Sequence, residues 1–599
     1  TLPLCHSASL FLSGLAFLVL SRPFSHPART IDMDPPCVEC TEATRLCALS
    51  PLDGRYAFAT RSLAAYFSEF AFLRYRLLVE CRYLMALPSL CPSLPALFPP
   101  LRLLLSPPVG SASTVSPPSA DAQRYPFLAS SPAPSLVNAL ETLATRDFTL
   151  RSALRIKHLE RTTNHDVKAI EYFLREELSR LLHSSRTPAC SPLSAAAAAA
   201  PSSSSSLTAP HAVVSTQAPA PAPRDHCMYH RALAPSSSSF STENSRPHIE
   251  NPPWHPLLEW VHFGLTSQDV NSVAQALSLR DAITKEYLPA IRDLVLTPLQ
   301  DRAQRWIHAP MLGRTHGQPA TPTRVGAQLM VFVERLHRQL SSIEEHVYYA
   351  KFGGATGGLN AHYAAVPSVD WQCFADRFLS EYCEGLERLQ CTTQIAHNDS
   401  LAALLDNLRR VNVILIDLAQ DMWMYIGLGY FSQRTTVGQV GSSCMPHKVN
   451  PIDWESAEGN FGLANSTFTH LSHKLPISRL QRDLSDTTVM RSLGVPLAHS
   501  ILGIRCVGDG LCKIQLNKDR LREDLERNWI VVAEGMQTIL RAHGYHEPYE
   551  MFRKALQNRS ELSRQDLHAL VDSIDVSPEL RDQLRALTPF NYLGKAARL

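Results

Sequence analysis

Glycine is scarce in this chain: 25 residues of 599, against 43 prolines. That pairing is odd for one globular fold and points to a compact core diluted by proline-rich sequence. Charge of one sign is missing too. The 57 Lys and Arg nearly balance the 55 Asp and Glu, for a net charge of +2. This excludes the basic excess of a nucleic-acid binder or a polybasic membrane protein. A second CxxC pair is missing. Cys37 and Cys40 stand with Cys47 nearby, and the 14 cysteines are otherwise scattered. The spacing supports neither a zinc site nor a disulfide framework, so no metal is expected, and reduced thiols fit the cytosol or an organelle stroma. The first 31 residues lack Asp and Glu, and their apolar run, Leu10 to Leu20, is too short to span a bilayer. It reads as part of a transit-type leader, as a secretory signal core, or as sequence outside the protein if translation starts at Met33.

What is present is length and apolar content. A chain of 599 residues suggests three or four domains, and 45% apolar residues suffice for a sizeable core. Three stretches do not read as that core: 1 to about 45, about 88–135 and about 184–250. They hold Pro99, Pro100, Pro107, Pro108, Pro117 and Pro118, then Ala195 to Ala200 and Ser202 to Ser206. Such composition buries too little apolar surface to offset chain entropy. The remainder is helical. Leu329, Phe332, Leu336, Leu340, Ile343 and Val347 step by three and four from Val325, as do Leu401, Leu404, Leu405, Leu408, Val411, Leu415, Leu418 and Met422. Each marks one face of a long helix, and together they predict an all-α helical bundle.

Four segments interrupt the helices in ways that packing does not require. Gly441 to Pro451 reads GSSCMPHKVNP, with small hydroxyl residues, one lysine and one asparagine between a glycine and a proline. Gly313 to Thr323 reads GRTHGQPATPT and places His316, a group suited to proton transfer, just before the helix at Val325. Arg161 to Asp166 (RTTNHD) and Leu265 to Asn271 (LTSQDVN) are denser in hydrogen-bonding side chains than helix caps need. Gly353 to Gly358 (GGATGG) lacks the lysine and hydroxyl of a P-loop and reads as a flexible turn.

GSSCMPHKVNP resembles the signature loop of the fumarase/aspartase superfamily, whose members eliminate fumarate from succinyl-type substrates. Within it, RTTNHDVKAIEYFL, LTSQDVN and RTHGQPATPT resemble the bacterial and plant-type branch of the adenylosuccinate lyases. The likeness begins near Ser50 to Tyr56 (SPLDGRY), resumes across 156–180 and runs from about Leu257 onward. Gln268 and the run Ile395 to Asp399 depart from the usual pattern.

The resemblance implies an all-α, three-part subunit with a long central helical bundle. After a leader at 1–45, the expected parts are an N-terminal domain at 46–254, interrupted at about 88–135 and 184–250, a central bundle at 255–511 and a C-terminal domain at 512–599. It implies a homotetramer with each site drawn from three subunits, a purine nucleotide as small-molecule substrate, no cofactor, and no nucleic-acid or membrane partner. The cysteine usage and the leader place the expected location in the cytoplasm or an organelle stroma, with a plastid-type transit leader as one form, and not outside the cell. By carry-over from the resemblance Ser442 is the base, His316 the general acid and His165 the second histidine. Lys448 and Asn450 stabilise the charge that develops on the substrate carboxylate. Arg55, Tyr56, Asn164, Asp166, Thr266, Ser267, Gln394, Ser456, Arg482, Thr487, Thr488 and Arg491 are the expected substrate contacts. A related fumarate-releasing lyase, such as one acting on argininosuccinate, and a catalytically silent bundle scaffold are the alternatives.

Overall fold

A computed structural model describes residues 45–104, 133–184, 254–435, 438, 441, 443–557 and 562–595. The leader and most of both interruptions lie outside the described residues.

The longest element is a helical rod over 267–305. At about 1.5 Å per residue it is about 58 Å long. Pro289 and Pro298 lie inside it, where a proline ring ordinarily clashes with the carbonyl four residues back. Each follows a widened π turn, at Ile283–Tyr287 and Arg292–Leu296. The wider turn gives the chain a local adjustment at each proline, and the helix continues through both. The rod begins with α4 (Ser267–Ala282). Before it come α1 (Glu69–Leu90), α2 (Leu150–Thr163) and α3 (Asp166–Ser184). After it come the hairpin β1–β2 (Pro310–Thr315, Gln318–Arg324), α5 (Val325–Glu344), α6 (Asp399–Gly427), α7 (Ile452–Lys474) and α8 (Gly494–Lys513).

These helices close a bundle. The far half of the rod packs on α5, α5 on α6, α6 on α7, α7 on α8, and α8 back on the rod, while α1 lies along α4. The predicted stripes supply the core: Leu329, Phe332, Leu336, Leu340 and Ile343 are buried on α5, and Leu404, Leu405, Leu408, Val411, Leu415, Leu418 and Met422 on α6. Each such side chain contributes about 1.5–3 kcal/mol on burial. Asn412 fixes the lateral fit, donating to Asn465 on α7 at 3.1 Å and to Ser500 on α8 at 2.8 Å.

The described strands form only three two-stranded ladders. One apolar cluster runs from Leu52 to Leu521 through the N-terminal helices and the bundle. A second is built on Leu525, Trp529, Met536, Phe552, Leu567 and Leu584, and takes Leu312 from β1. Two details differ from the sequence reading. Val347 falls beyond the end of α5 and is exposed. Residues 88–104, read as part of an interruption, join the core through Leu94, Leu101 and Leu104, because leucines recur there between the prolines.

Candidate active site

The candidate residues fall at the two ends of the rod. Thr266 and Ser267 stand half-buried at its amino end, where free helix amides and the macrodipole favour an anion. The Thr266 amide donates to Asp269 Oδ2 at 2.8 Å. Asp269 is fully buried and meets the fully buried Lys351 at 2.6 Å. Burial lowers the Lys351 pKa, and the Arg482 charge adds to that, against the pull of Asp269.

His165 caps α3, its Nδ1 accepting from the Lys168 amide at 3.2 Å. That bond leaves the proton of the neutral ring on Nε2, and the side chain is half exposed. Asn164 closes α2 in the left-handed conformation (φ 49°) that asparagine tolerates. Asp166 lies between Arg76 at 3.1 Å and Arg491 at 3.8 Å. Burial works to raise its carboxyl pKa, but Arg76 and the Val167 amide hold it below the ordinary value. Arg76 also donates to Asn271 at 2.7 Å, joining α1, α3 and α4.

Gln394 is used at both ends of its amide: Oε1 accepts from Arg482 at 3.1 Å and Nε2 donates to the Ala355 carbonyl at 3.1 Å. Thr487 and the exposed Thr488 lie on the short helix Ser485–Met490, and Thr487 bonds Asp486. The Arg55 guanidinium lies 5.8 Å from the centre of the Tyr56 ring, and the turn Ala57–Thr60 that follows packs on α8.

The other set sits at the carboxyl end of the rod. His316 and Gly317 form the two-residue tip of the β1–β2 hairpin, with Thr315 opposite Gln318. Both have positive φ, 52° and 74°, as expected of a tight hairpin turn matched to strand twist. The imidazole is exposed. The hairpin is anchored behind: Arg314 donates to Asp524 at 2.7 Å, Tyr430 also bonds Asp524, and Arg324 holds the Leu593 carbonyl at 2.6 Å. Nearby, Lys448 is exposed and Asn450 closes its own loop on the Gly441 carbonyl at 3.1 Å. Ser456 is exposed in the first turn or so of α7. Ser442 lies outside the described residues.

Asn164, His165, Asp166, Thr266, Ser267, Gln394, Arg482, Thr487, Thr488 and Arg491 therefore belong to one end, and His316, Lys448, Asn450 and Ser456 to the other, while Arg55 and Tyr56 stand beside the turn that packs on α8. The sequence reading did not separate them. It also passed over Arg76 and Lys351, and it read GGATGG as flexible. Gly353 and Gly354 are buried, and their amides donate to Asp269 at 2.8 and 3.1 Å. The lysine just before the glycines was the available signal. Among the described residues no cluster of His, Cys, Asp or Glu could hold a metal ion.

Known proteins are similar to this chain in sequence and in fold. A family described as lyase matches residues 253–462, and one described as adenylosuccinate lyase C-terminal matches 478–593. Among solved structures, the fumarate lyase of Mesorhizobium sp. BNC1 is similar with a TM-score of 0.56 at 17% identity, covering 90% of this chain and 96% of that one. The 3-carboxy-cis,cis-muconate lactonizing enzyme of Pseudomonas putida follows at 0.55 and 18%, covering 90% and 95%. The fold is the all-α fold of the fumarate lyase superfamily, and the protein is a lyase. The adenylosuccinate lyase of Dictyostelium discoideum is 38% identical over 92% of this chain and 97% of its own length. Those of Vibrio cholerae and Escherichia coli K12 are 35% and 34% identical over 93% of this chain and 99% and 98% of theirs. The chain belongs to the adenylosuccinate lyase family.

Proposed function

We propose that the chain eliminates fumarate from adenylosuccinate, giving AMP, and from the succinyl-carboxamide ribotide of purine synthesis, giving the aminoimidazole product. The observation that carries this reading is the division of the candidate residues. The amino end of the rod offers a helix N-terminus for a carboxylate and Arg482 and Arg491 for phosphate, whose geometry guanidinium forks suit. The carboxyl end offers His316 and the loop of Lys448 and Asn450.

The proton to be removed lies next to a carboxylate and is weakly acidic. Its loss places a second negative charge on that carboxylate, which Lys448 and Asn450 would stabilise. Ser442 would take the proton, His316 would protonate the departing nitrogen, and His165 would orient the substrate and share the proton work. Both Arg55 and Tyr56 would face the phosphate region, with Asn164, Asp166, Ser456, Thr487 and Thr488 completing the pocket.

A rod of about 58 Å keeps the two sets apart within one chain. A complete site would then draw on several chains, which supports a homotetramer. So does the apolar outer surface of the bundle, where Val331, Val413, Trp423, Met424 and Leu463 are exposed. No described helix is long and apolar enough to cross a membrane, and the reading retains cytoplasm or organelle stroma as the location. Purified protein should turn over adenylosuccinate with falling ultraviolet absorbance and leave argininosuccinate and malate untouched. Binding without turnover by a folded tetramer would favour the silent scaffold instead.

A further inference from the structure

A fully buried ion pair contributes little net stability, since apolar residues of the same volume often hold a core as well or better. Lys351 and Asp269 therefore call for another reason. Asp269 Oδ1 receives the Lys351 ammonium and the amides of Gly353 and Gly354, while Oδ2 receives the amide of Thr266. Lys351 Nζ donates on to the Gly354 carbonyl at 2.5 Å, and its backbone amide bonds Ser272 Oγ at 2.9 Å. The start of the rod is thus clamped to the glycine turn. A Cβ on Gly357 would stand 2.1 Å from the Thr392 carbonyl oxygen, so the turn is tightly packed there. From the turn, the Ala355 carbonyl holds Gln394, and Gln394 holds Arg482. Hydrogen bonds, joined by the covalent step from Gly354 to Ala355, thus connect Thr266 to Arg482 with the ion pair between them.

We propose that Lys351 and Asp269 are positioning residues that set the spacing between the carboxylate pocket at Thr266 and Ser267 and the phosphate-side groups Gln394 and Arg482. The site thereby measures a substrate that carries an anion at each end. This rests on the functional reading above. Neither residue needs to touch the substrate.

The test is the double variant Asp269→Asn/Lys351→Met, because Lys351→Met alone would strand a buried carboxylate. If the pair sets the spacing, KM for adenylosuccinate rises about tenfold or more with a smaller change in kcat, while competitive inhibition by AMP alone and by succinate alone shifts less than about threefold. Each fragment still finds its own pocket, and the whole substrate no longer fits both. A KM within about twofold of wild type, or parallel losses for substrate and both fragments, would overturn the proposal. Should the double variant fail to assemble, Ser272→Ala loosens the same clamp by one bond. It should show the same split at about threefold, and unmoved constants there overturn the proposal as well. A wild-type enzyme without turnover would overturn the functional reading and this inference together. An active wild type with unmoved variants overturns the inference alone.

Discussion

At the amino end of the rod, the groups that would grip the substrate are held from behind. Arg76 and Arg491 flank Asp166, Asp269 anchors the amide of Thr266, and Gln394 steadies Arg482. At the carboxyl end, His316 and Lys448 stand exposed on a hairpin tip and a loop. Binding a highly anionic molecule calls for cations and dipoles fixed in advance, so that none must reorganise when the ligand arrives. Proton transfer calls for groups that can approach, and loops carried on a rigid frame supply that approach. On the proposed reading the ends carry these requirements unequally, with His165 at the amino end also sharing the proton work.

The largest expected effect tests whether the ends cooperate across chains. His316→Ala and His165→Ala should each lower kcat by about a hundredfold or more. Under the proposed sharing of sites between chains, mixed oligomers of the two inactive variants should regain measurable activity, because one chain would supply the intact His316 and another the intact His165. No recovery on mixing would mean that both histidines serve one chain's site.

A smaller effect tests the division of labour. Arg491→Ala should raise KM by about tenfold with little change in kcat. Asp524→Asn loosens the Arg314 anchor and should lower kcat about threefold to tenfold with KM within about twofold. The opposite split in steady-state kinetics would erase the contrast between the ends.

The smallest effect is on stability. Four residues before Thr266, His262 meets the buried Glu80 at 2.5 Å. Burial disfavours the imidazolium, but Glu80 more than offsets this, so the folded pKa lies above the ordinary 6.5. Stabilisation from a raised pKa is complete below 6.5 and is lost as pH rises through the folded value. Glu80→Gln should therefore lower Tm by about 2–4 °C at pH 6, with the gap narrowing as pH rises. Asp166 has the opposite sign. Its folded pKa lies below 3.8, so its contribution is present above that value and fades as pH falls through the folded one. A Tm gap for Glu80→Gln that widens toward alkaline pH would reject the assignment.

Much of the frame was legible in the sequence. Leucines at spacings of three and four mark α5 and α6 because a helix must turn one stripe toward the core. His316 and Gly317 before Val325 announced a chemically unusual turn because a histidine beside a glycine is not needed for packing. Local pattern carries no record of which loops meet in space, and so the sorting of the site residues between two ends was not legible. Lys351 and Arg76 were missed for the same reason: a lone cation in a sequence reads as solvated surface until its buried partner is known. Residues 88–104 were misread because prolines there mask leucines that pack.

The left-handed turn at His316 has a consequence for how such a protein can drift. Most side chains placed there would strain the hairpin as well as remove the imidazole. Asparagine adopts that backbone readily, and its codons are one nucleotide away from those of histidine. A copy carrying that change would keep the hairpin while losing the imidazole to which the proposed reading gives proton transfer.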